Sequence, residues 1–163
     1  MHQDGAPCRL QVRTGFINHE AQQLNDHHDF GTSWLADTLI AAGAEYHRRF
    51  LEQRPDRAPL SINDVSLPRG GDTPDHAGHE TGLVVDIRLP RLNGGSGGIG
   101  NPNTNSQYDR AAMRAQLRSL KAQPMFHRAL FNDNKLVQEG LCKRASGHNN
   151  HAHIEIKPPT LIA

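Results

Sequence analysis

The sequence predicts a small α+β domain, and three observations predict it. Its 163 residues suit one compact unit with a core of its own. Two stretches, 33–53 and 108–122, repeat apolar residues at helical spacing. Two others, 81–89 and 151–157, alternate apolar with polar residues as half-buried strands do. No internal repeat and no second core is visible, so 1–163 reads as a single domain.

Taken in order, residues 1–32 are polar and read as irregular. Ser33 is placed to cap a helix running to Gln53. Its apolar positions Leu35, Leu39, Ala42, Tyr46 and Phe50 step by 4, 3, 4 and 4, which makes one buried stripe. Pro55 and Pro59 end it. A short strand follows at 61–67, then the turn Pro68-Arg69-Gly70-Gly71. In 81–89, Leu83, Val85, Ile87 and Leu89 share one face, and Val84, Asp86 and Arg88 share the other. Residues 91–106, rich in Gly, Asn and Ser, read as a mobile surface loop, either a connector or a cover for substrate. They lack the Gly-Lys-Ser/Thr of a phosphate-binding loop. The helix at 108–122 buries Met113, Leu117 and Leu120, and Pro124 interrupts it. Two shorter helices are expected at 125–130 and 134–141. The last strand, 151–157, sets Ala152, Ile154 and Ile156 against His151, His153 and Glu155, and Pro158-Pro159 stops it.

Net charge is +1 with histidine neutral, which gives no electrostatic footprint for nucleic acid. No run of about 18 apolar residues exists, so no membrane span is expected. Met1-His2-Gln3-Asp4-Gly5 lacks the charged-then-apolar layout of a signal peptide. Cys8 and Cys142 are compatible with one long-range disulfide or with two buried thiols, and they lack zinc-ribbon spacing.

Eleven histidines are many for this length, and the informative ones fall in two clusters. The first runs His76-Ala77-Gly78-His79 to Asp86; the second is His148-Asn149-Asn150-His151-Ala152-His153. His-x-His alone carries little weight, because this much histidine produces roughly one such pattern by chance. Context adds the weight. His151 and His153 lie on the polar face of a strand, roughly 7 Å apart, so that one can bind a metal while the other stands beside it. His79 precedes the strand that carries Asp86. Three such ligands leave a fourth position open, which marks a catalytic rather than a structural zinc. The plainer readings are His76 and His148 as surface residues and Asp86 as a partner for Arg88. Glu80 is not a metalloprotease base, because His-Glu-Thr-Gly-Leu lacks the second histidine of His-Glu-x-x-His. Glu155 reads as a support for His153 or a solvent residue.

These residues resemble a known family. The stretch Asp64-Val65-Ser66-Leu67-Pro68-Arg69-Gly70-Gly71, the stretch from His76 through His79 to Asp86-Ile87, and Gly147-His148-Asn149-Asn150-His151-Ala152-His153-Ile154-Glu155-Ile156 together look like penicillin-insensitive murein endopeptidase. That family sits in the metallopeptidase group of lysostaphin-type enzymes, D-Ala-D-Ala peptidases and the hedgehog signalling domain. The likeness covers most of 60–157; Met125 to Phe131 resembles the family's helical region, and residues 1–50 carry none of it. Arg144-Ala145-Ser146 stands where relatives place aromatic residues.

The resemblance implies an α+β fold whose central antiparallel sheet, flanked by helices, carries a zinc ion. It implies zinc ligands at His79, Asp86 and His153, and a catalytic base at His151. His148 stands where D-Ala-D-Ala peptidases have a catalytic Glu, His76 matches a further active-site histidine, and Arg69 in its Arg-Gly-Gly turn is the candidate for substrate binding. The implied activity is zinc-dependent hydrolysis of peptidoglycan stem peptides or cross-links, first as a D,D-endopeptidase. Amidase or D,D-carboxypeptidase cleavage of the same polymer is the alternative, followed by a zinc-stabilised binding domain without turnover and a structural wall-binding module of a phage or secretion apparatus. The expected location is the periplasm or outside the cell, reached as a wall enzyme, a phage lysin or an effector.

Overall fold

The computed structural model describes residues 8–9, 15–19, 28–67, 69–71 and 79–158. His76 therefore lies outside the described residues, as does most of 1–32. Among the described residues the elements are β1 (Cys8–Arg9), β2 (Phe16–Asn18), β3 (Phe30–Gly31), α1 (Ser33–Arg49), β4 (Leu60–Ile62), β5 (Val84–Arg88), α2 (Arg110–Lys121), β6 (Phe126–Leu130), α3 (Asn134–Gln138) and β7 (His151–Ile156).

Local chemistry explains their limits. Thr32, not Ser33, caps α1: its hydroxyl accepts the Leu35 N–H at 3.2 Å. The α-helix stops at Arg49, and one 3-10 turn at Leu51–Gln53 carries the chain on to Pro55. Asp109 caps α2 by accepting from Ala112 N–H at 3.0 Å. Asp133 caps α3 by accepting from Lys135 and Leu136 N–H, and α3 ends at Gln138, short of the expected 141.

Five strands form one mixed sheet in the order β2-β4-β5-β7-β6. β4 with β5, β5 with β7 and β7 with β6 run antiparallel, whereas β2 joins β4 in parallel, so the expectation of an antiparallel sheet holds for four strands and fails at one edge. The expected strand at 61–67 is shorter, Leu60–Ile62. The expected helix at 125–130 is instead the edge strand β6, with an irregular register between Phe126 and Arg128. The segment is therefore not the helical region that the resemblance led one to expect there. In place of an irregular start, β2 adds an edge strand to the main sheet, and β1 with β3 makes a separate two-stranded ribbon.

The core lies between one sheet face and helices α1 and α2. Leu60, Ile62, Val85, Ile87, Ala152 and Ile154 face Leu35, Leu39, Tyr46, Met113 and Leu117, all of them buried. Burying each large aliphatic side chain contributes about 1.5–3 kcal/mol. Tyr46 completes its burial by donating its hydroxyl to the Ala58 carbonyl at 2.8 Å. No helix among the described residues is long and apolar enough to cross a membrane. Because strand residues alternate, the opposite face of β5 and β7 is left to Asp86, Arg88, His151, His153 and Glu155.

Candidate metal centre

The register of β5 against β7 builds the site. Asp86 pairs directly with His153 and Arg88 with His151, two rungs apart on the same face of one ladder, with Ile87 and Ala152 paired between them. His79 arrives from the turn before β5. That turn is held by Thr32, whose N–H donates to the Gly82 carbonyl at 3.0 Å and whose hydroxyl donates to the same oxygen at 3.2 Å. Gly82 has φ +66°, and a Cβ there would sit 3.1 Å from Thr32 N, so glycine is required. Gly71 N–H donates to the Glu80 carbonyl at 3.2 Å, which packs the Arg69-Gly70-Gly71 turn beside the same loop.

His79, Asp86 and His153 are 3%, 2% and 7% exposed, and one donor atom of each lies within 4.8 Å of the others. Asp86 Oδ1 is 3.0 Å from His153 Nδ1 and 3.5 Å from His79 Nε2. Four donors bound tetrahedrally at 2.0–2.1 Å stand about 3.3 Å apart, so both separations suit a small ion between the groups. The donor chemistry fits as well. His79 Nδ1–H donates to the Val65 carbonyl at 2.6 Å, which turns Nε2 toward Asp86. On His153, Nδ1 faces Asp86 while Nε2 lies 3.4 Å from Glu155 Oε1. Glu155 is fixed in turn by Arg128, which donates to it at 2.7 Å. The three residues thus form a group that can hold a metal ion.

The electrostatics favour the same state. Burial alone would raise the Asp86 pKa, but hydrogen bonds from His153 and His79 and the nearby His151 outweigh it and hold the carboxyl well below the usual carboxylate range. Asp86 is therefore an anion at neutral pH. For His79, burial disfavours the charged ring, yet Asp86, the Val65 carbonyl and Asp64 prevail, and its pKa is raised. For Glu155, burial opposes ionisation and Arg128 overcomes it, so its pKa is lowered.

The group forms the floor of an open cleft of about 1170 Å³, whose walls include Asn63, Asp64, Arg88, Gly97, Gly98 and His148. That volume is ample for a peptide segment. His151 Nδ1–H donates to Asn150 Oδ1 at 2.8 Å, and its Nε2 lies 3.6 Å from Asp86 Oδ2. His148 Nδ1–H donates to the Ser146 carbonyl at 2.7 Å, and its ring centre is 5.0 Å from that of His151 and 5.3 Å from that of His153.

Five of the seven site residues expected from the sequence are thus brought together: His79, Asp86, His148, His151 and His153. Arg69 is exposed on its turn and is not among the residues lining the cleft. His76 lies outside the described residues. The glycine-rich stretch is tied down by backbone bonds, Gly97 N–H to the Leu89 carbonyl and Arg91 N–H to the Gly95 carbonyl, both 2.8 Å, and supplies one wall. Sequence reasoning missed Asn150, Asn63 and Arg88 as parts of the site. A usable signal existed only for Arg88, two positions beyond Asp86 on the same strand face. Cys142 is a free, buried thiol. Compared with known proteins, the chain matches no family model and no curated sequence.

Proposed function

We propose that this chain is a zinc-dependent hydrolase of bacterial wall peptides, acting first as a D,D-endopeptidase on peptide cross-links. One observation carries the hydrolase reading: two further imidazoles, His148 and His151, stand beside the His79, Asp86, His153 group on the floor of an open cleft. A metal that only stabilised the fold would need neither. Two imidazoles and one carboxylate suit zinc better than calcium or magnesium, which take mostly oxygen ligands.

When bound, the ion supplies a Lewis acid that polarises a peptide carbonyl and acidifies water. The chain's own residues do the rest. Asn150 accepts from His151 Nδ1–H, so the neutral ring carries its lone pair on Nε2, on the Asp86 side, where it can take a proton as general base. His148, fixed at Nδ1 by the Ser146 carbonyl, has Nε2 available in its charged form to donate to a developing oxyanion or a leaving amine. Glu155 and the Val65 carbonyl keep the two ligand imidazoles in the orientation binding needs.

The wall-peptide substrate rests on the resemblance to the murein endopeptidase family, and it assigns the chain to the periplasm or the cell exterior. Incubating purified muropeptides with the chain, with and without zinc, tests both parts by mass spectrometry. Zinc-dependent conversion of cross-linked dimers to monomers is expected. Zinc uptake without any new product refutes the hydrolase reading and leaves a binding domain. Loss of a terminal D-alanine alone, or release of the whole stem peptide, moves the assignment to carboxypeptidase or amidase.

A further inference from the structure

Two arginines line the cleft, and they differ in what they touch. Arg128 is neutralised by Glu155, its partner at 2.7 Å. Arg88 is half-buried and has no ion-pair partner among the described residues. Its Nη1 donates to Asn63 Oδ1 at 3.3 Å, and its Nε is buried without a hydrogen-bond partner. Asn63 donates in turn to Asp64 Oδ2 at 2.7 Å, so the amide lies between the guanidinium and that carboxylate. A guanidinium offers five donors in a fork that matches a carboxylate, and leaving it half-desolvated without an anion is unfavourable.

Its position is specific. Arg88 is paired with His151, two rungs from Asp86 and His153 and on the same sheet face. Two residues along a strand span about 6.6 Å, the length of two residues of an extended peptide. The guanidinium is held against Gly97, where a Cβ would lie 2.7 Å from Arg88 Cζ and Nε, so only glycine lets it rest there. Of the charged groups lining the cleft, Asp64, Asp86 and Glu155 face Arg88 and Arg128. A divalent ion at the floor tips that balance to one positive charge over, which favours an anionic ligand.

We propose that Arg88 is the carboxylate anchor of this cleft and selects peptides that carry a free carboxylate on the leaving side of the bond at the metal. The leaving-side placement rests on the hydrolase reading, and the carboxylate preference rests on the cleft alone. Arg88 is a specificity residue here, while proton transfer is left to the histidines. The anchor distinguishes a peptide ending in a free acid from the same peptide ending in an amide.

The test uses the zinc-loaded full chain with acetylated D-Ala-D-Ala as free acid and as terminal amide. Calorimetry measures binding to the wild type, to Arg88→Gln and to Arg88→Lys, with zinc content checked in each. The wild type is expected to prefer the acid by about tenfold or more. Arg88→Gln should lose that preference while keeping its zinc, and Arg88→Lys should keep part of it. An acid preference unchanged in Arg88→Gln overturns the anchor, as does equal weakening of both forms or binding of neither. Muropeptide digestion is run beside it. An Arg88-dependent acid preference without any digestion sinks the hydrolase reading and keeps the anchor. Digestion with an acid preference indifferent to Arg88 does the reverse.

Discussion

His151 and His153 sit two positions apart on β7, yet removing each should have a different consequence. His153→Ala is expected to lose the metal, because it deletes one of three buried donors. His151→Ala should keep the metal and lose turnover by about 10²–10⁴-fold, the usual contribution of a general base. Metal analysis paired with muropeptide digestion checks both, and a wild-type rate for His151→Ala would end the assignment of the base. Glu155→Gln should weaken metal binding by about 10–100-fold, because it removes the carboxylate beside His153 Nε2. Cys142 makes a separate point about burial. Desolvation pushes its thiol up to about 12, with Asp133 adding to the effect. It should resist iodoacetamide at pH 8 in the native chain and react once denatured, which mass spectrometry reads directly. At this scale the His79, Asp86, His153 group and the neighbouring His151 and His148 were legible in the sequence, since imidazole and carboxylate announce their chemistry. Their supports were not. The Val65 carbonyl that orients His79 is a backbone atom every residue possesses, and only the fold selects it.

At the scale of elements, capping residues connect stability to the site. Thr32→Val removes the α1 cap and the hydroxyl bond to Gly82 while keeping the backbone one, so it should cost about 1 kcal/mol and also loosen the turn that carries His79. Chemical denaturation and a zinc titration measure the two effects, and an unchanged zinc affinity would separate the turn from the metal. Asp133→Ala should cost about 3 kcal/mol or more, since it uncaps α3 and strips the buried partner of Arg110, now 2.7 Å away. The sequence revealed β5 and β7 because one face of each is apolar and the other is not. It concealed β6, where Phe126, His127 and Arg128 break the alternation at an irregular register and only Ala129 is buried. β2 was hidden for a related reason: three residues are too few for a period.

For the whole molecule, proton and metal compete for the same pocket. The His79 pKa is raised in the metal-free fold, so its charged form stabilises that fold below about pH 6.5, and the contribution fades as pH rises through the folded value. Asp86 behaves oppositely. Its lowered pKa adds stability above about pH 3.9, and this is lost as pH falls through its folded value. A bound ion needs His79 neutral, which reverses the first trend. Melting curves should therefore rise from pH 8 to pH 6 for the metal-free chain and fall over the same interval for the zinc-loaded one. Parallel curves would show that no ion engages His79.

The exposed stretch near Asn103 and Thr104 lies between the segment bearing His79 and Asp86 and the one bearing His153. A single peptide cut there would leave two pieces, one with two of the required donors and the other with one. Neither alone completes the coordination set, and each lacks the neighbouring strand its own half needs. Reassociation of the pieces, which the β5–β7 ladder and the shared core favour, would therefore be reported by recovered metal uptake.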